Sequence, residues 1–289
     1  MSARVVGIAS IAFAFVGCAL VSGLANLEVA SDASTGDAAK DVLGDVTVLP
    51  DVVVPLEAGP GGWALSTHGG CASGPTTVQL SNLEFTVTLW LRVDALPQND
   101  TDVLPILWNG GRAGSEQGWS LDLTSKGIVF CVSDQNGFTC TPPAPMTVGH
   151  LVHVGVVSPY NQQTSGRSFI VYAMDRSSGA TTHTQVATTS GAQGNWSSSA
   201  PFTIGGAQVG QSCTTPSNVT VDRIHVLSST VTASTLDSTA TSSACTSTGV
   251  IADLELDEGS GTATKSCSGD IALSWPDGTK LGFVISPFP

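Results

Sequence analysis

Phe85–Val93 reads FTVTLWLRV. Phe85, Val87, Leu89, Leu91 and Val93 occupy alternate positions, with Thr86, Thr88, Trp90 and Arg92 between them. Successive side chains of a strand point to opposite faces, so this period predicts one strand with an apolar face and a mixed polar face. The same grammar continues outward. GWSLDLTSKGIVFCV (118–132) reads as two strands about an SKG turn. HLVHVGVVS (150–158) and SFIVYAMD (168–175) are β-rich runs separated by PYNQQTSGR. PFTIGGA (201–207) is a short strand ended by glycines, and VTVDRIHVLSSTV (219–231) alternates again. No run makes a persuasive amphipathic helix of useful length. Many short strands with frequent turn signals predict an all-β antiparallel sandwich or barrel.

Bulk composition agrees. Charged residues are 11% of the chain, against about a quarter in ordinary globular proteins. The formal charge of −13 argues against nucleic acid as a partner and against electrostatic attachment to an anionic membrane. There is no P-loop, no GxGxxG after a strand, no HExxH, no GxSxG and no CxxC.

The amino terminus predicts export. Arg4 precedes an uncharged, mostly apolar run that ends FVGC at Cys18. A basic start, an apolar core and small residues before a cut describe a secretory signal. FVGC resembles a bacterial lipobox, which implies a signal peptide over 1–17 and lipid attachment at Cys18. A plain anchor helix and ordinary signal-peptidase cleavage are the alternatives, and all three export the rest of the chain. Residues 18–60 then read as an acidic linker. From Ala19 to Pro60 the chain carries seven acids, one Lys and no aromatic residue, too little apolar surface to offset the entropy of ordering. Such a tether would reach roughly 35 Å on average and hold a folded head, residues 61–289, away from a bacterial outer membrane or cell surface.

Setting Cys18 aside leaves six cysteines, Cys71, Cys131, Cys140, Cys213, Cys245 and Cys267. An even number in an exported domain predicts disulfides, with free buried thiols as the alternative. Cys131 and Cys140 flank a DQNG turn between short strands. Cys213 and Cys245 bracket one strand and its tail, which leaves Cys71 for Cys267.

In order, the segments FTVTLWLRV, GWSLDLTSKGIVFCV, HLVHVGVVSPYNQQTSGRSFIVYAMD, APFTIGGAQ and VTVDRIHVLSSTVTASTL resemble those of the LamG-like jelly rolls, within the concanavalin A-like sandwiches. LELDEGSGTATKSCSG (254–269) resembles the first segment of that family, yet it stands almost two hundred residues after WALS (63–66), which resembles the strand that normally follows it. The resemblance implies a circularly permuted jelly roll whose two ends must still meet. A Cys71–Cys267 bridge would clamp them.

What the resemblance implies most often is a binding module for a carbohydrate or an extracellular protein. A glycan-acting hydrolase on the same sandwich and a purely structural envelope protein are the alternatives. Asp253, Glu255 and Asp257 alternate in IADLELDEGSG, and paired carboxylates on one face suit glycoside hydrolysis. The spacing does not fit the Glu-x-Asp-x-Glu of related glycosidases, however. The expectation is therefore a wet strand face, with Leu254 and Leu256 toward the core, and no catalytic residue. His153 is expected to be packed and hydrogen-bonded. Trp90 and Arg92 are ligand-binding candidates, since an aromatic among polar groups suits sugar stacking. Trp108, Trp119, Trp196 and Trp275 read as packing residues. Asn99, Asp100 and Asp102 share one loop as calcium candidates. No other cofactor is implied, and oligomeric state is not legible.

Overall fold

The computed structural model describes residues 62–75, 77–80, 84–110, 117–134, 137–159, 167–192, 198–209, 212–241, 249–266, 271–275 and 281–289. Cys18, the linker, Trp196, Cys245 and Cys267 lie outside them. In chain order the strands are β1 (Trp63–Ser66), β2 (Ala72–Ser73), β3 (Phe85–Val93), β4 (Leu104–Asn109), β5 (Gly118–Thr124) and β6 (Gly127–Asp134). There follow β7 (Gly137–Cys140), β8 (Leu151–Ser158), β9 (Arg167–Asp175), β10 (Thr184–Ala192), β11 (Thr203–Ile204) and β12 (Ala207–Val209). The last are β13 (Ser212–Thr214), β14 (Val219–Leu227), β15 (Val250–Leu254), β16 (Ala263–Lys265), β17 (Ala272–Ser274) and β18 (Gly282–Ile285). One short helix, α1 (Ala233–Thr239), stands between β14 and β15, with the Thr232 side chain capping its first turn.

Two antiparallel sheets make a sandwich. The first runs β10-β9-β8-β3-β14-β1-β18, with β15 also on β14, and the second runs β16-β17-β2-β11-β4-β5-β6-β7. The expected alternation of β3 is realised: Phe85, Val87, Leu89, Leu91 and Val93 are all buried in the main core. They meet Trp119 and Phe130 from the second sheet and Phe202 just before β11, with Phe85 and Phe130 centroids 5.7 Å apart. Burying aromatic and branched side chains between two sheets is the main stabilising effect in such a domain.

The ends of the head meet. β1 pairs with β18, and Ser274 of β17 with Ser73 of β2. β1 and β15 lie end to end along one edge of β14, Leu65 opposite Val221 and Leu254 opposite Ile224. The Trp63 N–H donates to Asp257 Oδ1 at 3.0 Å. Gly259, with φ of 70°, lies so close to the Trp63 indole that a Cβ would clash with it. LELDEGSG thus leads in space into WALS, the adjacency that a permuted order requires.

The disulfides correct part of the reading. Cys131 and Cys140 are joined, with Cα atoms 4.1 Å apart. Cys71 is joined to Cys213, with Cα atoms 5.9 Å apart, which excludes both the Cys71–Cys267 and the Cys213–Cys245 pairs. The physical reason lies in the short ribbon of β12 and β13: it folds back beside β2 and brings Cys213 to Cys71. The bridge invoked to clamp the ends is not made; among the described residues, strand pairing and the contacts of Trp63 join them.

Candidate functional site

Three places hold polar groups of interest: an open groove, a cleft on the second sheet, and the outer face of the first sheet.

The groove, about 610 Å³, is lined by His68, Asp94, Ala95 and Asn218. It lies where β1 and β3 end and β14 begins. Backbone bonds fix its walls: Thr67 N–H to Val219 O (2.9 Å) and Asp94 N–H to Asn218 O (3.0 Å). Asp94 is the centre of its polar network. Arg92 Nε donates to Asp94 Oδ1 at 2.7 Å, and Thr220 Oγ1 to Oδ2 at 3.2 Å. Arg92 Nη2 also donates to Thr220 Oγ1 at 3.1 Å. The Ser66 hydroxyl bonds His68 Nδ1 at 2.9 Å, and His68 Nε2 stands 3.6 Å from Asp94 Oδ2. The His68 side chain is 50% exposed and that of Asp94 20%, so both are within reach of a ligand. Arg92 therefore serves as the orienting partner of Asp94. His68, with φ of 23°, was not singled out by the sequence; a strained turn residue is invisible to periodicity.

The cleft, about 390 Å³, is lined by Asp102, Asp122, Thr214 and Thr215 among others. Asp122 is buried and accepts from the Ser120 hydroxyl at 2.9 Å. The calcium candidates sit beside it. Asn99 turns its amide N–H to Asp102 Oδ2 at 2.9 Å. Asp100 accepts from Ser125 at 2.5 Å and pairs with Lys126 at 3.0 Å. The Ser125 bond and the Lys126 partner hold the Asp100 carboxyl below its ordinary range. At Asp100 a lysine ammonium stands where a cation would bind.

The outer face of the first sheet overturns two expectations. Trp90 is fully buried. Its Nε1 donates to Ala240 O at 3.0 Å, and its ring meets Phe288 at 5.5 Å and His153 at 5.1 Å. The end of α1 and the carboxyl-terminal segment cover it, so it offers no platform to a sugar. Leu236 of α1 seats over Gly155, where a Cβ would fall 2.7 Å from Leu236 Cδ1. The wet face expected of the acidic comb is also largely covered: Asp253 is buried, Glu255 half-buried and only Asp257 exposed. Leu254 and Leu256 do face the core.

Beneath this cover the polar groups pair with one another. His153 Nδ1 lies 2.7 Å from His183 Nε2, and His183 Nδ1 2.6 Å from Asp237 Oδ1 on α1. His153 is thus packed and hydrogen-bonded. Burial, with His183, His225 and Arg223 nearby, holds its imidazole well below 6.5. β14 breaks its alternation between Asp222 and His225, where the register shifts. The extra residue, Arg223, has φ of 45°, and the bulge puts both Asp222 and His225 on the outer face. Burial lifts the Asp222 carboxyl to about 8, with the Asp257 charge adding to it, against the lowering influence of Arg223 and of the Ser286 hydroxyl. A raised carboxyl in a groove is the mark of a glycosidase acid. Asp222 instead is fully buried and bonded to Ser286 at 3.0 Å, so no glycan reaches it. Of the tryptophans read as packing residues, Trp108, Trp119 and Trp275 are buried.

Comparison with known proteins agrees with this architecture. No curated protein matches. Among solved structures, one from Bacteroides ovatus, whose description is of a carbohydrate-binding protein, shares 16% identity with a TM-score of 0.54. The match covers 81% of this chain and 62% of that one, so the chain spans less than two thirds of its length. The binding domain of Paraclostridial Mosquitocidal Protein 1 matches at 14% identity over 60% of this chain and 46% of its own, TM-score 0.40. A Ruminococcus gnavus IT-sialidase CBM40, solved with α2,3-sialyllactose, matches at 12% over 55% and 82%, TM-score 0.38. The model of the concanavalin A-like lectin/glucanases superfamily matches residues 66–236. With its two-sheet sandwich and this match over more than half its length, the chain belongs to the concanavalin A-like lectin/glucanase superfamily.

Proposed function

We propose that the head is a carbohydrate-binding module and that a sugar sits in the groove of His68, Asp94 and Asn218. The observation that carries this is the Asp94 carboxylate. It is partly exposed at an open groove and already neutralised and oriented by Arg92. A paired, pre-organised carboxylate with an amide and an imidazole beside it suits a neutral polyhydroxyl ligand, which supplies many hydroxyl donors and no net charge. The groove volume lies within the usual range for small-ligand sites, roughly 300–1,000 Å³. The solved relative from Bacteroides ovatus, described as carbohydrate-binding, supports the reading at the level of fold. The fold also serves enzymes, but the raised carboxyl at Asp222 is buried away from any groove and lends the hydrolase reading nothing.

The full chain applied to a glycan array should retain a related group of glycans. Failure to retain any glycan, with capture of an extracellular protein instead, would replace the sugar by a protein ligand. We further propose that the head is exported and lipid-anchored through Cys18. Cys18→Ser should leave an unprocessed precursor without incorporated palmitate, and normal processing of that variant would overturn the anchor.

A further inference from the structure

We propose that His225, Asp253 and Glu255 form a binding site for one first-row divalent metal ion, with zinc the best fit. Strand pairing assembles the site. His225 on β14 stands directly opposite Asp253 on β15, and Glu255, two residues on, falls on the side of Asp253. Opposed residues on adjacent strands carry their Cβ atoms about 5 Å apart, close enough for three side chains to share one ion. One ligand atom from each of the three lies within 4.8 Å of the others.

The distances favour an ion over a hydrogen bond. His225 Nε2 is 3.4 Å from Asp253 Oδ1 and 3.5 Å from Glu255 Oε1. A nitrogen–oxygen hydrogen bond closes to about 2.9 Å. Two ligands on a tetrahedral zinc, with bonds of about 2.1 Å, stand roughly 3.4 Å apart. The two separations from His225 therefore match the edges of a coordination tetrahedron, and the carboxylate oxygens lie within 4.8 Å of each other.

The site also lacks what its burial requires. His225 is 8% exposed, and its Nε2 has no hydrogen-bond partner. Both carboxylate oxygens of Glu255 are buried and likewise without one. Among the described residues, neither lysine nor arginine forms an ion pair with Glu255. Buried polar atoms in native proteins are satisfied, and carboxylates brought together repel unless a cation lies between them. One divalent ion satisfies His225 and Glu255 together.

Ligand chemistry selects the ion. Calcium takes six to eight oxygens, and an imidazole in a small three-ligand set disfavours it. One imidazole with two carboxylates suits zinc, which would keep a water in its fourth position. Side-chain exposures of 10% at His225, 5% at Asp253 and 14% at Glu255 leave a narrow opening for entry on the Glu255 side. The ion would fasten β15, which pairs only with β14 among the described strands, and with it the segment that holds Trp63.

The test uses the full chain, dialysed against a chelator, with zinc ion alone and calcium ion alone as probes in calorimetry. The expected result is one tight zinc per chain, a raised thermal midpoint, and no displacement of zinc by equimolar calcium. His225→Gln and Glu255→Gln should each weaken zinc binding at least tenfold. Absence of zinc uptake by the unaltered chain, or zinc binding by both variants at full strength, would overturn the site. Should either variant fail to fold, zinc-edge anomalous diffraction from unaltered crystals decides. A peak among the three side chains supports the site, and a peak only elsewhere overturns it.

Discussion

Two groupings of a histidine with carboxylate lie on this sandwich, and they differ in one respect that decides what each can do. At the groove, Asp94 has its own cation: Arg92 lies 2.7 Å away, and His68 stands beside it half exposed. Under the cover of the first sheet, Asp253 and Glu255 face His225 at 3.4 and 3.5 Å, and Glu255 has neither lysine nor arginine as an ion-pair partner among the described residues. The first grouping is electrically complete and open to solvent. It can only add hydrogen bonds, which is what a sugar asks of it. The second is largely buried, and its Glu255 has no lysine or arginine ion-pair partner among the described residues; positive charge is what a metal ion supplies. Side-chain type alone does not assign a role; burial and the presence of an internal cation do.

The largest expected effect sharpens the claim that the covered face is true interior. Trp90→Ala should cost about 3–5 kcal/mol, the usual range for removing a buried aromatic side chain, read by urea unfolding. A loss below about 1 kcal/mol would mean that the cover of α1 and Phe288 is loose.

Asp222 gives the next effect, as a slope against pH. Burial raises its carboxyl from 3.8 to about 8, so between those values the folded chain keeps a proton that the unfolded chain has released. Its contribution to stability is therefore full below 3.8 and is lost as pH rises to about 8. His153 acts in the opposite sense: its depressed imidazole costs stability as pH falls below 6.5. The difference between the unaltered chain and Asp222→Asn isolates the first term. That difference should shift in favour of Asp222→Asn as pH rises from 4 to 8, and a flat difference would contradict the buried, protonated carboxyl.

Smaller effects separate the two groupings. In chelator, Glu255→Gln should change stability by no more than about 1 kcal/mol, in the stabilising sense, because it relieves repulsion. With zinc present the order should reverse, since only the unaltered chain gains. Arg92→Ala, which breaks a half-exposed pair, should cost below about 1 kcal/mol yet weaken glycan binding. A large stability loss there would mark Arg92 as structural.

Much of the fold was legible, and the reasons are local. The alternation of Phe85–Val93 and the SKG turn at 125–127 are period and turn signals, which act within one strand or hairpin. The resemblance of LELDEGSG and WALS to one family's opening order implied that the two ends meet. The sites were harder to see because they depend on what covers a face. Trp90 among threonines looks like an exposed platform until α1, too short to stand out in the sequence, and Phe288 are laid over it. Asp253 looks wet from its alternation, yet it is buried opposite His225. Arg92 was legible as a polar residue on the mixed face of its strand, whereas His68 and Asn218 come to Asp94 from distant turns. The pairing of Cys71 with Cys213 follows from where a two-strand ribbon folds back, which spacing along the chain does not encode.

In the proposed function, the groove binds a neutral sugar through a carboxylate that needs no metal. This binding is tested most directly by titrating the strongest glycan from the array into the full chain, and into Asp94→Ala, both in chelator and followed by calorimetry. The expected result is binding by the unaltered chain and at least a tenfold loss in Asp94→Ala. Equal affinity in the two chains, or binding that disappears with the chelator, would contradict it.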